Sequence, residues 1–65
     1  MNKEEAYKIR VTRDLAALRS LRDALYDTRG QAYEVRAMAA RRSIDDAIRL
    51  VQDAIRPLAH LDERS

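Results

Sequence analysis

Residues 33–58, YEVRAMAARRSIDDAIRLVQDAIRPL, decide the fold that this sequence predicts. Their apolar side chains recur every three or four positions, the spacing that places side chains on one face of an α-helix. The stripe consists of Tyr33, Ala37, Ala40, Ile44, Ala47, Ile48, Val51, Ala54, Ile55 and Leu58. It covers about 120° of the helix surface at about 100° per residue. Pro57 cannot donate a backbone hydrogen bond and disfavours helical geometry before it, so we expect this helix to end near residue 56.

A second stripe of apolar residues lies in the first half of the chain. It is formed by Tyr7, Val11, Leu15, Leu18, Leu21 and Leu25, which again step by three or four. Asn2 followed by Glu5 is typical of a helix N-cap, so we expect a first helix to begin at Lys3. Residues 27–31, DTRGQ, contain no apolar side chain and include Gly30, the one glycine of the sequence. Because glycine commonly follows the last residue of a helix, they predict a turn.

These features predict a single helical domain over residues 1–65. It has a helix at about 3–28, a turn at about 28–31, a helix at about 32–56 and a short C-terminal tail at 57–65, frayed from Asp62 onward. The predicted fold class is all-α: an antiparallel helical hairpin that assembles into a four-helix bundle or packs with a partner protein.

The pattern leaves two alternatives to the hairpin open. The phase of the first stripe, continued at 3.6 residues per turn, reaches Ile44 and Val51, so one unbroken helix is compatible with it. A glycine inside a helix costs only about 1 kcal/mol, which does not forbid that arrangement. Ser43 with Asp46 also resembles a capping pair, and a break before Ser43 would give three helices, as in a helix-turn-helix.

Length and composition favour association with another chain. A protein of 65 residues buries only ~60% of the surface that its unfolded chain exposes, so its own core is small. The sequence has no cysteine, which excludes disulfides and thiolate metal sites. It has no run approaching the ~18 apolar residues of a membrane span, and residues 1–5 do not resemble a signal peptide. We therefore expect a cytoplasmic protein.

The breadth of the second stripe predicts where a partner binds. Two helices in contact cover only the narrow seam between them, so we expect Ile44, Ile48, Val51 and Ile55 to keep one flank in water. Asp14 and Arg22 interrupt the first stripe, either at the edge of the seam or as residues that fix register or partner choice. The predicted partner interface is Leu18, Leu25, Tyr33, Ile44, Ile48, Val51, Ile55 and Leu58. The expected partner is a second copy or another helical protein.

The competing hypothesis is a small nucleic-acid-binding regulator. Arg42, Arg49 and Arg56 are spaced by seven on one side of the second helix, with Arg36 and Arg41 nearby. Such a ridge can contact phosphates or an acidic partner. Against it, thirteen basic residues are nearly matched by eleven acidic ones. Asp45 and Asp53 also lie at helical pairing distance from Arg49 and Arg56 and would neutralise the ridge.

Catalytic, metal and cofactor functions find no support in the sequence. His60 is the one histidine, and His60 with Asp62 does not supply the three or four ligands of a metal site. Asp45 and Asp46 are adjacent, so their carboxylates point about 100° apart on a helix. No nucleophile set or glycine-rich phosphate loop is present. We expect a protein that is not an enzyme and binds no cofactor.

In length and layout, with a central turn and two amphipathic arms, the chain is similar to plasmid-encoded helical hairpins that pair into four-helix bundles and bind RNA loops. It also resembles the small hairpin co-chaperones of type III secretion needle subunits, through its length and the helix predicted from Tyr33 to Leu58. Both resemblances imply a helical hairpin that works by association. Fold likeness by itself does not assign a function.

Overall fold

The computed structural model describes residues 2–63 and shows two α-helices packed against each other as a hairpin. Helix α1 spans Lys3–Glu34 and helix α2 spans Met38–Glu63, with no strand in the described range. Asn2 caps α1, because its side-chain oxygen accepts a hydrogen bond from the Glu5 backbone N–H at 2.8 Å. The all-α hairpin and the predicted N-cap are therefore confirmed.

The predicted turn at residues 28–31 is wrong. Helix α1 continues through Gly30, and the chain reverses at Val35, Arg36 and Ala37. Arg36 takes the left-handed backbone conformation, with φ 58°, that glycine usually supplies. The Ala37 N–H donates to the Ala32 carbonyl at 2.8 Å, which closes the last turn of α1. A cost of only about 1 kcal/mol for a helical glycine is too small to end a helix whose side chains keep packing beyond it.

The predicted end of the second helix near residue 56 is also wrong, because α2 runs through Pro57 to Glu63. Pro57 is exposed, so water can bond the carbonyl that loses its helical partner. Beyond the proline, Leu58 is half-buried, and the Thr12 hydroxyl donates to Asp62 Oδ1 at 2.9 Å. The expected frayed tail therefore does not include Asp62 and Glu63. Arg64 and Ser65 lie outside the described residues.

Neither alternative topology is found. The turn at residues 35–37 separates two helices, so the chain is not one unbroken helix. Ser43 lies inside α2, whose backbone continues from Met38 without interruption, so no third helix begins there. The apolar stripe runs through position 43 in phase, and its packing against α1 outweighs the local capping signal.

The core follows a seven-residue repeat. Most buried and half-buried positions follow one another in steps of four and three, the pattern of a coiled-coil seam, and the half-buried Asp45, Ala47, Gln52 and Ala59 lie beside it in α2. In α1 the seam consists of Val11, Leu15, Leu18, Arg22, Leu25, Arg29 and Ala32. On the other side it begins at Ala37 of the turn and continues in α2 with Arg41, Ile44, Ile48, Val51, Ile55, Leu58 and Asp62. The residues classed as buried are Val11, Leu15, Ala32, Ile48 and Ile55, so the hairpin has a thin core.

Moving the glycine should stabilise the hairpin. A Cβ added at Gly30 meets nothing within 4 Å, so Gly30→Ala is expected to raise the free energy of unfolding by about 0.5–1 kcal/mol. That gain corresponds to several degrees in Tm, measured by circular dichroism. Arg36→Gly should also stabilise, because it removes the left-handed strain. If Gly30→Ala instead destabilised the chain, the result would contradict a helical Gly30 and support a turn at this residue.

Candidate protein–protein interface

One side of the hairpin is closed by polar contacts between the helices, and we call it the bridged side. Gln52 Nε2 donates to the Tyr26 hydroxyl at 2.8 Å. Arg29 Nη1 donates to Asp45 Oδ1 at 3.0 Å, and the Arg29 guanidinium lies 4.8 Å from the centre of the Tyr26 ring. Tyr26, Asp45 and Gln52 each directly follow a seam residue. These contacts cover the seam on that side and fix the antiparallel register.

The opposite side of the seam is apolar, and we call it the open side. It carries two rows with a spacing of seven, in which every residue except Tyr7 directly precedes a seam residue. The α1 row is Tyr7, Asp14, Leu21 and Thr28, and the α2 row is Ala40, Ala47, Ala54 and Leu61. In an antiparallel helix pair, flanking residues at the same position of the seven-residue repeat lie on the same side of the seam, so both rows face the same way. Leu21 is 47% exposed there.

Polar groups on the open side lack partners in the other helix. The Asp14 side chain makes no hydrogen bond or ion pair within residues 2–63. The Thr28 hydroxyl donates to the Ala24 carbonyl of its own helix at 3.0 Å. Of the two residues that interrupt the first stripe, Arg22 is the one in the seam, where its side chain is 31% exposed and bonds Asp23 at 3.2 Å. Asp14 therefore remains available to a partner, whereas Arg22 is engaged locally.

The predicted partner interface is only partly exposed. Ile48 and Ile55 are 4% and 8% exposed, so the expectation that they keep a flank in water is wrong. Both are seam residues packed between the helices. The other aliphatic members are half-buried along the seam: Leu18, Leu25, Ile44, Val51 and Leu58. Tyr33 is 62% exposed, but it follows a seam residue and so lies on the bridged side, away from the open side.

The sequence did not predict the open side, because periodicity defines a broad apolar face and does not separate its seam residues from the residues beside the seam. Tyr7 and Leu21 belong to the first stripe, and Ala40, Ala47 and Ala54 to the second, yet none was assigned to the interface. The signal was the strict seven-residue spacing of the alanines. Once Ile48 and Ile55 are placed in the seam, the residue before each falls on its flank.

The three arginines of the ridge are exposed, but an acidic residue partly neutralises their charge. Arg42, Arg49 and Arg56 are exposed on the outer side of α2. Arg49 pairs with Asp46 at 3.9 Å and not with the predicted Asp45, which Arg29 engages across the hairpin. Arg41 belongs to the seam, and its guanidinium lies 5.0 Å from the Tyr33 ring centre, while Arg36 forms the turn. Binding of nucleic acid by these residues stays a prediction.

Comparison of the chain with protein-family models, curated proteins and solved structures yields no match. Among residues 2–63, no group of three or more His, Cys, Asp or Glu side chains is placed to hold a metal ion. Neither described helix combines the length and apolar character needed to cross a membrane. The open side is thus the surface feature on which a function can be argued.

The burial of Ile48 has a direct test. Ile48→Asp is expected to unfold the hairpin, because an unpaired charge in the seam costs several kcal/mol, comparable to a small domain's whole stability. Far-ultraviolet circular dichroism should show the loss of helix. Leu50→Asp is the control, since Leu50 is exposed on the outer side of the same helix and should stay folded. A folded Ile48→Asp variant that merely lost partner binding would show that Ile48 is a surface residue.

Proposed function

We propose that this chain is a non-enzymatic protein–protein association module that works through the open side of its hairpin. The partner supported best is a second copy, which would complete a four-helix bundle in which each hairpin covers the other's open side. The observation that carries this proposal is the apolar flank of the seam. It lies opposite the side that the hairpin closes with its own hydrogen bonds.

The surface area of the single hairpin supports association. The chain exposes 5295 Å², whereas a compact monomer of 7.5 kDa should expose roughly 4,200 Å². Its radius of gyration of 15.0 Å exceeds the ~11 Å expected of a compact domain of this length. The surplus, about 1,000 Å², is close to the ~800 Å² that each partner buries in a standard interface. A second hairpin would remove a surplus of this size.

The sequence of the open side also fits a bundle. Helices of bundles carry apolar residues at the two seam positions and at one flanking position of each seven-residue repeat. In α2, the alanine row and Leu61 supply that flanking position throughout. Small side chains let two helices approach closely, and the larger Leu21 and Leu61 add apolar surface that a partner can cover. Because Leu21 is 47% exposed, covering the rest of it would contribute about half of the ~1.5–3 kcal/mol gained by burying a fully exposed leucine.

Nucleic-acid binding through Arg42, Arg49 and Arg56 is the competing proposal, supported by the exposure of this ridge at regular spacing. The ion pair of Arg49 with Asp46 and the net charge of +2 weaken it. The two proposals use different faces of the hairpin. Charge reversal at Arg42 and Arg49 would remove a salt-dependent affinity for nucleic acid and leave packing through the open side intact.

Matched substitutions at Leu21 and Ile9 test the association. Leu21 is 47% exposed on the open side, and Ile9 is 45% exposed on the far side of α1. Leu21→Glu is expected to weaken self-association at least tenfold by placing a charge in the apolar interface, while Ile9→Glu should have little effect. Sedimentation equilibrium across micromolar concentrations measures both, and circular dichroism checks that each variant remains helical.

Two results would contradict this proposal. The first is an unaltered chain that stays a fully helical single copy up to millimolar concentration. The second is equal weakening by Leu21→Glu and Ile9→Glu, which would mean that association does not use the open side. A tight, salt-sensitive complex with nucleic acid, abolished by Arg42→Glu together with Arg49→Glu, would favour the ridge.

A further inference from the structure

We infer that the two hairpins pair antiparallel, so that the turn of each lies beside the open end of the other, around a two-fold axis near Leu21 and Ala54. This inference rests on the proposed function and adds the orientation and register of the second copy. We call residues 34–42 the tip, and residues 2–8 with 60–63 the open end. The open side allows two symmetric arrangements, with the tips at opposite ends or at the same end of the bundle.

The two arrangements bring different rows together. When the tips point in opposite directions, the two-fold axis crosses the helices, and each row on the open side meets its own copy. When the tips point the same way, the axis runs along the helices, and the α1 row of one copy meets the α2 row of the other. Both place neighbouring helices antiparallel, so the residue matches must decide between them.

In the antiparallel arrangement, both rows can share one axis. The contacts Thr12–Asp62 and Arg29–Asp45 set the register of the hairpin and put Leu21 level with residue 53, next to Ala54. An axis at this level pairs Leu21 with the partner's Leu21 in α1. In α2 it pairs Ala54 with the partner's Ala54, and Ala47 with the partner's Leu61. The rows are therefore self-complementary at the level that the hairpin register requires.

The polar residues of the open side favour the same arrangement. Around the axis at Leu21, Asp14 and Thr28 are equally distant, so Asp14 faces the partner's Thr28 twice in the dimer. The threonine hydroxyl can turn from the Ala24 carbonyl, its acceptor in the hairpin, and donate to the carboxylate. With the tips together, the same register would put Asp14 against the partner's Leu61. A carboxylate would then be desolvated without a hydrogen bond, which is costly.

The distribution of charge agrees with this orientation. The tip carries Arg36, Arg41 and Arg42 against Glu34, and the open end carries Glu4, Glu5, Asp62 and Glu63 against Lys3 and Lys8. Arg64, which follows in the sequence, offsets one of the acidic charges. Tips at the same end would bring two basic groups within about one Debye length, ~8 Å in physiological salt. Opposite tips place each basic group near an acidic one.

Spin labels at two positions distinguish the arrangements. The sequence has no cysteine, so Arg36→Cys and Ser20→Cys each give one labelling site per chain. Arg36 is fifteen residues from Leu21, so tips at opposite ends should be roughly 45 Å apart, given the ~1.5 Å helical rise per residue. Ser20 points away from α2, so its labels should be within roughly 15 Å, because helix axes pack 8–10 Å apart.

The parallel arrangement reverses both distances. Tips at the same end would bring the Arg36→Cys labels within roughly 20 Å, and the Ser20→Cys labels would separate to roughly 25 Å across the bundle. A dimer with those distances would overturn the antiparallel inference and leave the proposed function standing. A chain that remains a single copy would show no distance between spin labels on different copies. That result would overturn both the antiparallel inference and the proposed function.

A double-mutant cycle gives an independent reading of the register. Thr28→Ala should weaken dimerisation about threefold to tenfold, because it leaves the Asp14 carboxylate desolvated without a donor, and adding Asp14→Ala should restore most of the lost affinity. Asp23→Ala is the matched control, because Asp23 is an exposed acid on the outer side of α1. Strictly multiplicative effects of the two single changes would show that Asp14 does not contact the partner's Thr28 and would count against this register.

Discussion

The seven-residue seam between α1 and α2 is the constraint on which the other surfaces depend. Steps of four and three residues keep one line of each helix in contact with its partner, and Ile48 and Ile55 occupy that line in α2. Once the line is set, the residues directly after Leu25, Ile44 and Val51 fall on the bridged side, and the residues directly before Arg22, Ile48 and Ile55 fall on the open side. The hydrogen bond of Gln52 to Tyr26 and the apolar row ending at Leu61 are both consequences of this division.

The parts of the fold that depend on local chemistry could be read from the sequence. The cap at Asn2 and the periodicity of both helices are local, and the structure has them where they were expected. The turn could not be placed, because the preference for glycine at a helix end is worth about 1 kcal/mol. Seam packing of Ala32, beyond Gly30, outweighs that preference, and Arg36 takes the left-handed conformation instead.

The candidate interface was harder to read for a different reason. An apolar stripe of about 120° tells how much of a helix avoids water, but not which part the chain covers itself. That division depends on the register between the helices, which polar pairs such as Arg29 with Asp45 settle in three dimensions. The stripe therefore predicted an exposed flank for Ile48 and Ile55, whereas in the alanine row beside them Ala40 and Ala54 are exposed and Ala47 is half-buried.

A thin core would link the stability of this hairpin to the association proposed for it. Any partner that binds the folded chain and not the unfolded chain stabilises it by mass action, so part of the stability of such a module depends on concentration. A wholly apolar open side would give the highest affinity for a second copy, but it would accept that copy in more than one register. In the proposed dimer, Asp14 and Thr28 would lower the attainable affinity, and one arrangement would satisfy both groups. A module built to assemble with a defined partner and orientation needs that selectivity more than it needs the tightest packing.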